Sequence, residues 1–445
     1  MSRNTSLLLK YLFKQTWPML VGLFSIMGSQ LVDSIFIAKL GAEPLAVVAF
    51  SIAIFQVIVG VQVGLGIAAT ATISTALGEN KVNYARYLGS LIVFIGTVIV
   101  TLLCLALWFF QQPIILALGA TPSLFNLTEL YWLPWLISCW LGALLYFGYS
   151  ICRAHNETLL PGRIMVLTSV LNIALDPLFM FTFDMELAGA AWASCVAFSI
   201  GLVVVFYTLI KRDLVTFDVL KNRTEQAIKA IAKMMAPALL SQFIPPISAM
   251  IVTALIAAYG GFAVAAWGLA NRIEYIAIIL ILALTMALPP IVGNLKGRGE
   301  LRQILSVVKL ACGFVIGIQI LLAVIMLGVA NPLANALSNN SEIVANLTDY
   351  FAFVPLSYAA LGVCMITVSV CNALGFATTA LFISILRLFL CYLPLLWLGS
   401  YFYGLTGLFI GMACGNTLSG IVGWQLFKQQ YKRLTTHVSV RSITV

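Results

Sequence analysis

The chain alternates long apolar runs with short polar joints. A run of about 20 apolar residues crosses a bilayer as a helix rising ~1.5 Å per residue. Twelve such spans can be drawn, approximately over 11–40, 44–77, 85–110, 124–150, 160–183, 187–211, 231–259, 262–295, 302–329, 344–373, 377–400 and 404–430. The longest polar segment, Arg212 to Gln226 (RDLVTFDVLKNRTEQ), separates six spans from six. The pattern therefore predicts an all-α polytopic membrane protein of 12 transmembrane helices in two six-helix bundles. The N-terminal bundle is expected over residues 1–211, a linker over 212–230 and the C-terminal bundle over 231–445.

The two sets of spans repeat each other. Pro18 opens PMLVGLFSIMGSQLVDSIFIAKLG and Pro237 opens PALLSQFIPPISAMIVTALIAAYG, a shift of 237 − 18 = 219. Gly41 and Gly260, Gly78 and Gly297, Pro113 and Pro332, and Cys152 and Cys371 pair at the same shift. Six is an even number, so both halves enter the membrane in the same direction. Their pseudo-symmetry axis is expected along the membrane normal, with a central cleft between the bundles.

Composition supports the class and charge orients it. Of the 445 residues 62% are apolar and 9% charged, against about 25% charged in soluble proteins. Of the 24 Lys and Arg, 21 fall at the termini and joints of one face; the exceptions are Lys39, Arg272 and Arg387. The opposite joints carry Glu43, Asp184, Glu186 and Glu342. By the positive-inside rule both termini and the linker are cytoplasmic, and the net charge of +9 reads as an orientation signal, not as nucleic-acid affinity. Nine cysteines occur singly with no CxxC pair, which fits small apolar filler, and the two histidines argue against a His-based metal site. No cleavable signal is evident. The absence of HExxH, GxSxG, a His cluster and GxxxxGK[ST] argues against an enzyme and against ATP drive. The bilayer is the expected surrounding, with the chain acting as a monomer.

Two acids stand out against this background. Asp33 lies in a span whose flanking ionic residues are Lys14 and Lys39, and Asp176 lies deep in span five. A carboxylate there costs at least ~2.5–3.5 kcal/mol on insertion scales, so its default reading is a working residue. The positions 219 further on, Val252 and Leu395, are apolar, so this chemistry belongs to the N-terminal half. Asn172 and Asp176 share a helix face at i and i+4. Asp33, Asp176, Ser194 and Tyr131 each lie about seven residues from an outer span end, ~10 Å deep at the helical rise. Such a group can hold a proton and lose it when water enters. Alternatively, Asp33, Asn172 and Asp176 can supply oxygens to Na⁺. A third reading is that the acids only tie helices together.

Other candidates are weaker. Span eight carries Asn271, Arg272 and Glu274; Arg272 and Glu274, two residues apart, do not face each other, so each needs a separate partner or the cleft. Arg387, mid-span in span eleven, raises the same question. Met27, Phe147, Trp267 and Met286 are candidate cleft residues for flat cations, with the core as the commoner fate of such side chains. Pro18, with Gly22 and Gly28, softens helix 1 below Asp33 and makes it a candidate hinge.

These residues resemble a known family. PMLVGLFSIMGSQLVDSIFIAKLG resembles the first span of multidrug and toxic compound extrusion (MATE) transporters. GENKVNYAR resembles their turn between spans two and three, LNIALDPLF their fifth span, AGAAWAS the start of the sixth, and ANRIEY part of the eighth. Asp33 with the Asn172–Asp176 pair is most similar to the DinF-type branch. The resemblance implies a V-shaped pair of bundles in the plasma membrane (bacterial inner membrane). It also implies export of organic cations and amphiphilic drugs in exchange for H⁺ or Na⁺, with no cofactor. Protonation of Asp33 and Asp176 would then couple to bending of helix 1. The sodium-type branches place an acid in the C-terminal half; the span-ten stretch Leu361 to Cys371 has none, although Glu274 in span eight remains a candidate, and this departure favours protons. The alternatives are a Na⁺-coupled drug antiporter and a lipid-linked saccharide flippase of the same superfamily. The flippase would be expected to carry more cations in its cleft than Arg272 and Arg387. An ion channel would be expected to show a filter-like repeated loop.

Overall fold

A computed structural model of the protein describes residues 3–117, 124–216 and 224–441. Residues 217–223 of the expected linker lie outside the described residues; 212–216 continue from the sixth span, and the next helix has begun by Thr224. The described residues form helices and short connections. The first half contains α1 (Arg3–Leu40), α2 (Ala42–Gly78), α3 (Val82–Phe109), α4 (Gln111–Ala117), α5 (Phe125–Ala154), α6 (Leu159–Pro177) and α7 (Glu186–Lys211). The second contains α8 (Thr224–Ala257), α9 (Gly261–Gly297), α10 (Leu301–Gly328), α11 (Ala330–Leu337), α12 (Ser341–Phe353), α13 (Tyr358–Ala373), α14 (Ala377–Leu386) and α15 (Leu393–Arg441).

Among the described residues eleven continuous helical stretches are long and apolar enough to cross a membrane, and the last runs from Ala377 to Thr436. That stretch is broken at Tyr403 (φ −133°, ψ 20°) and Gly404 (φ 60°, ψ −139°), where the chain reverses. It therefore accounts for spans eleven and twelve. The two arms touch so closely that a β-carbon on Gly399 would lie 2.0 Å from the Gly407 carbonyl oxygen. Only residues without a side chain permit that backbone approach.

The repeat is written in the backbone as well as in the sequence. Positive φ occurs at Gly41 and Gly260, at Asn80 and Gly299, and at Asn156 and Gly375, and each pair is 219 residues apart (260 − 41, 299 − 80, 375 − 156). The short helices α4 and α11, which hydropathy alone did not predict, start at Gln111 and Ala330, again 219 apart. Glycine serves readily in such left-handed turns and Asn is the side-chain-bearing residue that best tolerates them.

The fold forms two compact units. The N-terminal unit is Phe13–Gln242; the C-terminal unit is Phe243 onward together with the chain up to Leu12. The boundaries thus fall inside α1 and α8. The N-terminal unit has a core that includes Ile58, Trp132, Trp135, Met180 and Leu187. The C-terminal unit packs Trp267, Leu284, Tyr350, Phe351, Phe409 and Phe427. Within these units α5 and α9 are the most enclosed spans, whereas α1 and α8 are the most open.

Helix α1 is held unevenly. Its inner part is seated on α6: Thr158 Oγ1 donates to buried Gln15 Oε1 at 2.7 Å, and the Pro18 carbonyl packs against Gly162. Gly22 abuts Met165, whereas Gly28 has no foreign atom within 4 Å of where a β-carbon would be. The backbone stays helical through Pro18. At Gly162 an added β-carbon would meet Pro18 O at 2.4 Å, and neither backbone can yield cheaply. Gly162→Ala should therefore lower stability by about 1–3 kcal/mol. Gly28→Ala should be neutral or slightly stabilising, by about 0.5–1 kcal/mol. Thermal unfolding of the two variants in detergent checks the contrast.

Candidate functional site

The five N-terminal residues singled out in the sequence converge within the N-terminal unit. Asp176 sits on the last turn of α6, fully buried, immediately before Pro177. The helix then widens into a π segment, Leu178–Thr182, a distortion that recurs at functional positions in helices. Asn172, one turn earlier, donates from Nδ2 to Asp176 Oδ1 at 3.3 Å and to Ser194 Oγ on α7 at 3.0 Å. Asp33 approaches Asp176 side chain to side chain from α1. Tyr131, buried on α5 and stacked on Trp135 at 6.2 Å, lies near enough to feel the Asp33 charge.

The hydrogen-bond inventory is incomplete in an informative way. Asp33 Oδ1 and Asp176 Oδ2 are both buried without a partner. Two ionised carboxylates are acceptors only and repel each other, so the approach of Asp33 to Asp176 is comfortable only when a proton or cation is shared. Asn172 turns its N–H donors toward Asp176 and Ser194, which suits an ionised or proton-sharing Asp176. A metal ion would instead require the amide oxygen at that position. The arrangement is thus a carboxyl pair braced by one amide, with room in its bonding for one more proton.

The remaining candidates are placed differently. Phe147 is fully buried against Gly96 between α5 and α3, and is core rather than lining, because Gly96 leaves a socket for its ring. Trp267 is buried in the C-terminal unit, donating Nε1 to Thr253 Oγ1 at 3.1 Å and meeting Tyr350 edge-on at 6.0 Å. Met27 is partly buried and Arg272 is exposed. Glu274 accepts from Tyr350 Oη at 2.5 Å, and Tyr350 Oη lies 3.1 Å from Tyr358 Oη. Arg387 lies near Glu274 without an ion pair; the pairs within 4.0 Å among the described residues are Lys81–Glu79, Arg86–Asp213, Arg212–Glu157 and Lys229–Glu225. Tyr350 and Tyr358 are partners that the sequence reading missed. The repeat held one clue, since Tyr350 stands 350 − 131 = 219 residues after Tyr131.

Comparison with known proteins agrees with this architecture. The MatE family model matches residues 18–178 and again 237–398, one match per half. A FAD transporter of Shewanella oneidensis is 29% identical over 426 residues, covering 94% of each chain. The multidrug export protein MepA of Staphylococcus saprophyticus is 23% identical, covering 94% of this chain and 93% of its own. The Vibrio cholerae MATE transporter VcmN, solved in the bent form, superimposes with a TM-score of 0.95 at 46% identity, covering 97% of this chain and 99% of that one. The chain belongs to the MatE family: it is a multi-pass membrane transporter and not an enzyme.

Proposed function

We propose that the chain is a proton-coupled antiporter that exports small organic molecules, in the first place cationic and amphiphilic drugs. The observation that carries this reading is the Asp33–Asp176 pair, with one orphaned oxygen on each carboxyl and a single bracing amide. Protonation would relieve the repulsion between the acids and let Asp33 stay against α6. Deprotonation would drive Asp33 away. Because the inner part of α1 is seated on α6 through Gln15 and Pro18, movement at Asp33 would bend the helix, with Pro18, Gly22 and Gly28 as the flexible stretch. The likeness to a relative solved in a bent form supports this. Asp33, Asp176 and Ser194 could each offer an oxygen to Na⁺, but the Asn172 orientation favours the proton. The DinF-type assignment rests on the same Asp33, Asn172 and Asp176 pattern. The two bundles over 1–211 and 231–445, cytoplasmic termini and a bacterial inner-membrane location complete the reading.

The likeness to a FAD transporter supports a second cargo, an anionic flavin dinucleotide. The discriminating experiment uses the full chain in proteoliposomes, loaded with either a fluorescent lipophilic cation or FAD, under an imposed pH or Na⁺ gradient. Transport should follow the pH gradient for one cargo, and Asp33→Asn and Asp176→Asn should each reduce it to background. Normal transport by both variants under every gradient would overturn the coupling assignment.

Asn172 supplies the described donor to Asp176 Oδ1. Asn172→Leu should leave that oxygen unpaired in the span, a loss of roughly 1–3 kcal/mol when the acid is ionised. Stability should therefore fall more at high pH than at low pH. Unfolding midpoints of Asn172→Leu and wild type at pH 5 and pH 9 check this, and an equal deficit at both would show that Asn172 does not serve the ionised form.

A further inference from the structure

We propose that Glu274, Tyr350 and Tyr358 form a second proton-binding centre, built in the C-terminal unit around the repeat position that Tyr131 occupies in the N-terminal unit. The proposal rests on the proton-coupled reading above and deepens it by adding a proton site. Four independent features of the structure converge on it.

The first is the hydrogen-bond chain itself. Tyr350 has one hydroxyl proton, and it goes to Glu274 Oε2 at 2.5 Å. The 3.1 Å contact between the two tyrosines must then be Tyr358 donating to Tyr350. While Glu274 is ionised the chain has one polarity: Tyr358 to Tyr350 to Glu274. A proton can enter by hopping along it. Tyr350 gives its proton to Glu274, Tyr358 gives its proton to Tyr350, and hydronium resupplies Tyr358. The balance is one proton taken from hydronium in the solvent, which leaves water, and one gained by Glu274, with both tyrosines restored as neutral phenols. The reverse sequence releases the proton.

The second feature is rigidity. Tyr350 and Tyr358 are each 1% exposed. The Tyr350 ring is held edge-on by Trp267, Phe351 and Phe409, with centroids 6.0, 5.7 and 5.4 Å away. Its hydroxyl is therefore aimed, not free to swing. The 3-10 turn Val354–Ser357, with Pro355 at its start, breaks the span between the two tyrosines and brings their hydroxyls together.

The third is the charge around the acid. Arg387 and Tyr392 bracket a π segment, Arg387–Tyr392, and both interact electrostatically with Glu274. Tyr275, its chain neighbour, does so too. Asp349, an acid on α12 one residue before Tyr350, is occupied with Thr406 Oγ1 at 2.6 Å. Arg387 lies outside ion-pair distance, so it tempers the negative charge of Glu274 without neutralising it by contact. Among the described residues the structure has two π segments, one directly after Asp176 and one bearing the cation that faces Glu274.

The fourth is the symmetry. Tyr131 sits by Asp33 and Tyr350 on Glu274, 219 residues apart. The acids do not occupy matching positions, yet the tyrosine that feels Asp33 and the tyrosine that hydrogen-bonds Glu274 do. A tie between helices would need no such correspondence.

The test is a pH titration of the purified full chain by infrared difference spectroscopy, which reads the carbonyl stretch of neutral carboxyl groups without any cargo. Wild type should show carboxyl bands that Asp33→Asn alters and a further one that Glu274→Gln removes. Tyr350→Phe should shift the titration midpoint of the Glu274 band. Tyr358→Phe should leave that band in place but slow its appearance after a pH jump. Released protons per bound tetraphenylphosphonium should fall roughly twofold in Glu274→Gln, as linkage requires when one of two sites is lost. If Glu274→Gln leaves every titrating band and the proton count unchanged while Asp33→Asn does not, the second centre is wrong and the antiporter reading stands. If wild type releases no proton on binding and Asp33→Asn changes nothing, the antiporter reading falls; a titrating Glu274 band would still identify the centre. Should Glu274→Gln fail to fold, Tyr358→Phe decides, because it keeps the ring: unaltered pH-jump kinetics would overturn the relay.

Discussion

Everything distinctive about the N-terminal unit depends on one contact, the approach of Asp33 on α1 to Asp176 on α6. A carboxyl group within a membrane span is expensive, and two that meet are worse unless something is shared between them. Among the described residues no lysine or arginine is in ion-pair contact with either acid. The fold supplies an amide, a serine hydroxyl and a nearby phenol, all neutral. A pair so arranged is eased by a shared proton or cation, and it joins α6 to α1, one of the most open spans.

The same helix α6 supplies both the seat for the inner part of α1 and the carboxyl that meets Asp33. Thr158, Gly162 and Met165 receive the inner part of α1, and Asn172 and Asp176 lie further along the same rod. One continuous element thus fixes the distance between that seat and the acid pair. The seat is tight because backbone meets backbone at Pro18 and Gly162, while the acid pair leaves one oxygen of each carboxyl without a partner.

Much of this was legible in the sequence, for physical reasons. Spans are readable because a bilayer demands long apolar stretches, and Asp33 and Asp176 are readable because their cost marks them. The common depth of Asp33, Tyr131, Asp176 and Ser194 followed from counting residues along straight helices. What escaped were choices made by packing. Phe147 and Trp267 lie in apolar runs, and lipid and protein interior are equally apolar, so the sequence ranked the core as their commoner fate without assigning it; both are buried. The partners of Glu274 come from spans that are remote in sequence, and Tyr358 reaches its place only because the chain turns at Pro355. The short helices α4 and α11 were invisible to hydropathy because they are too brief to form a run.

The placement of the unit boundaries has a consequence for how the molecule is made. The chain up to Leu12 belongs to the unit that otherwise begins at Phe243, while α8 up to Gln242 belongs to the unit before it. A ribosome delivers Leu12 long before the rest of its unit exists. That stretch thus waits for its neighbours until the second unit is made, and neither sequence repeat by itself supplies a finished unit.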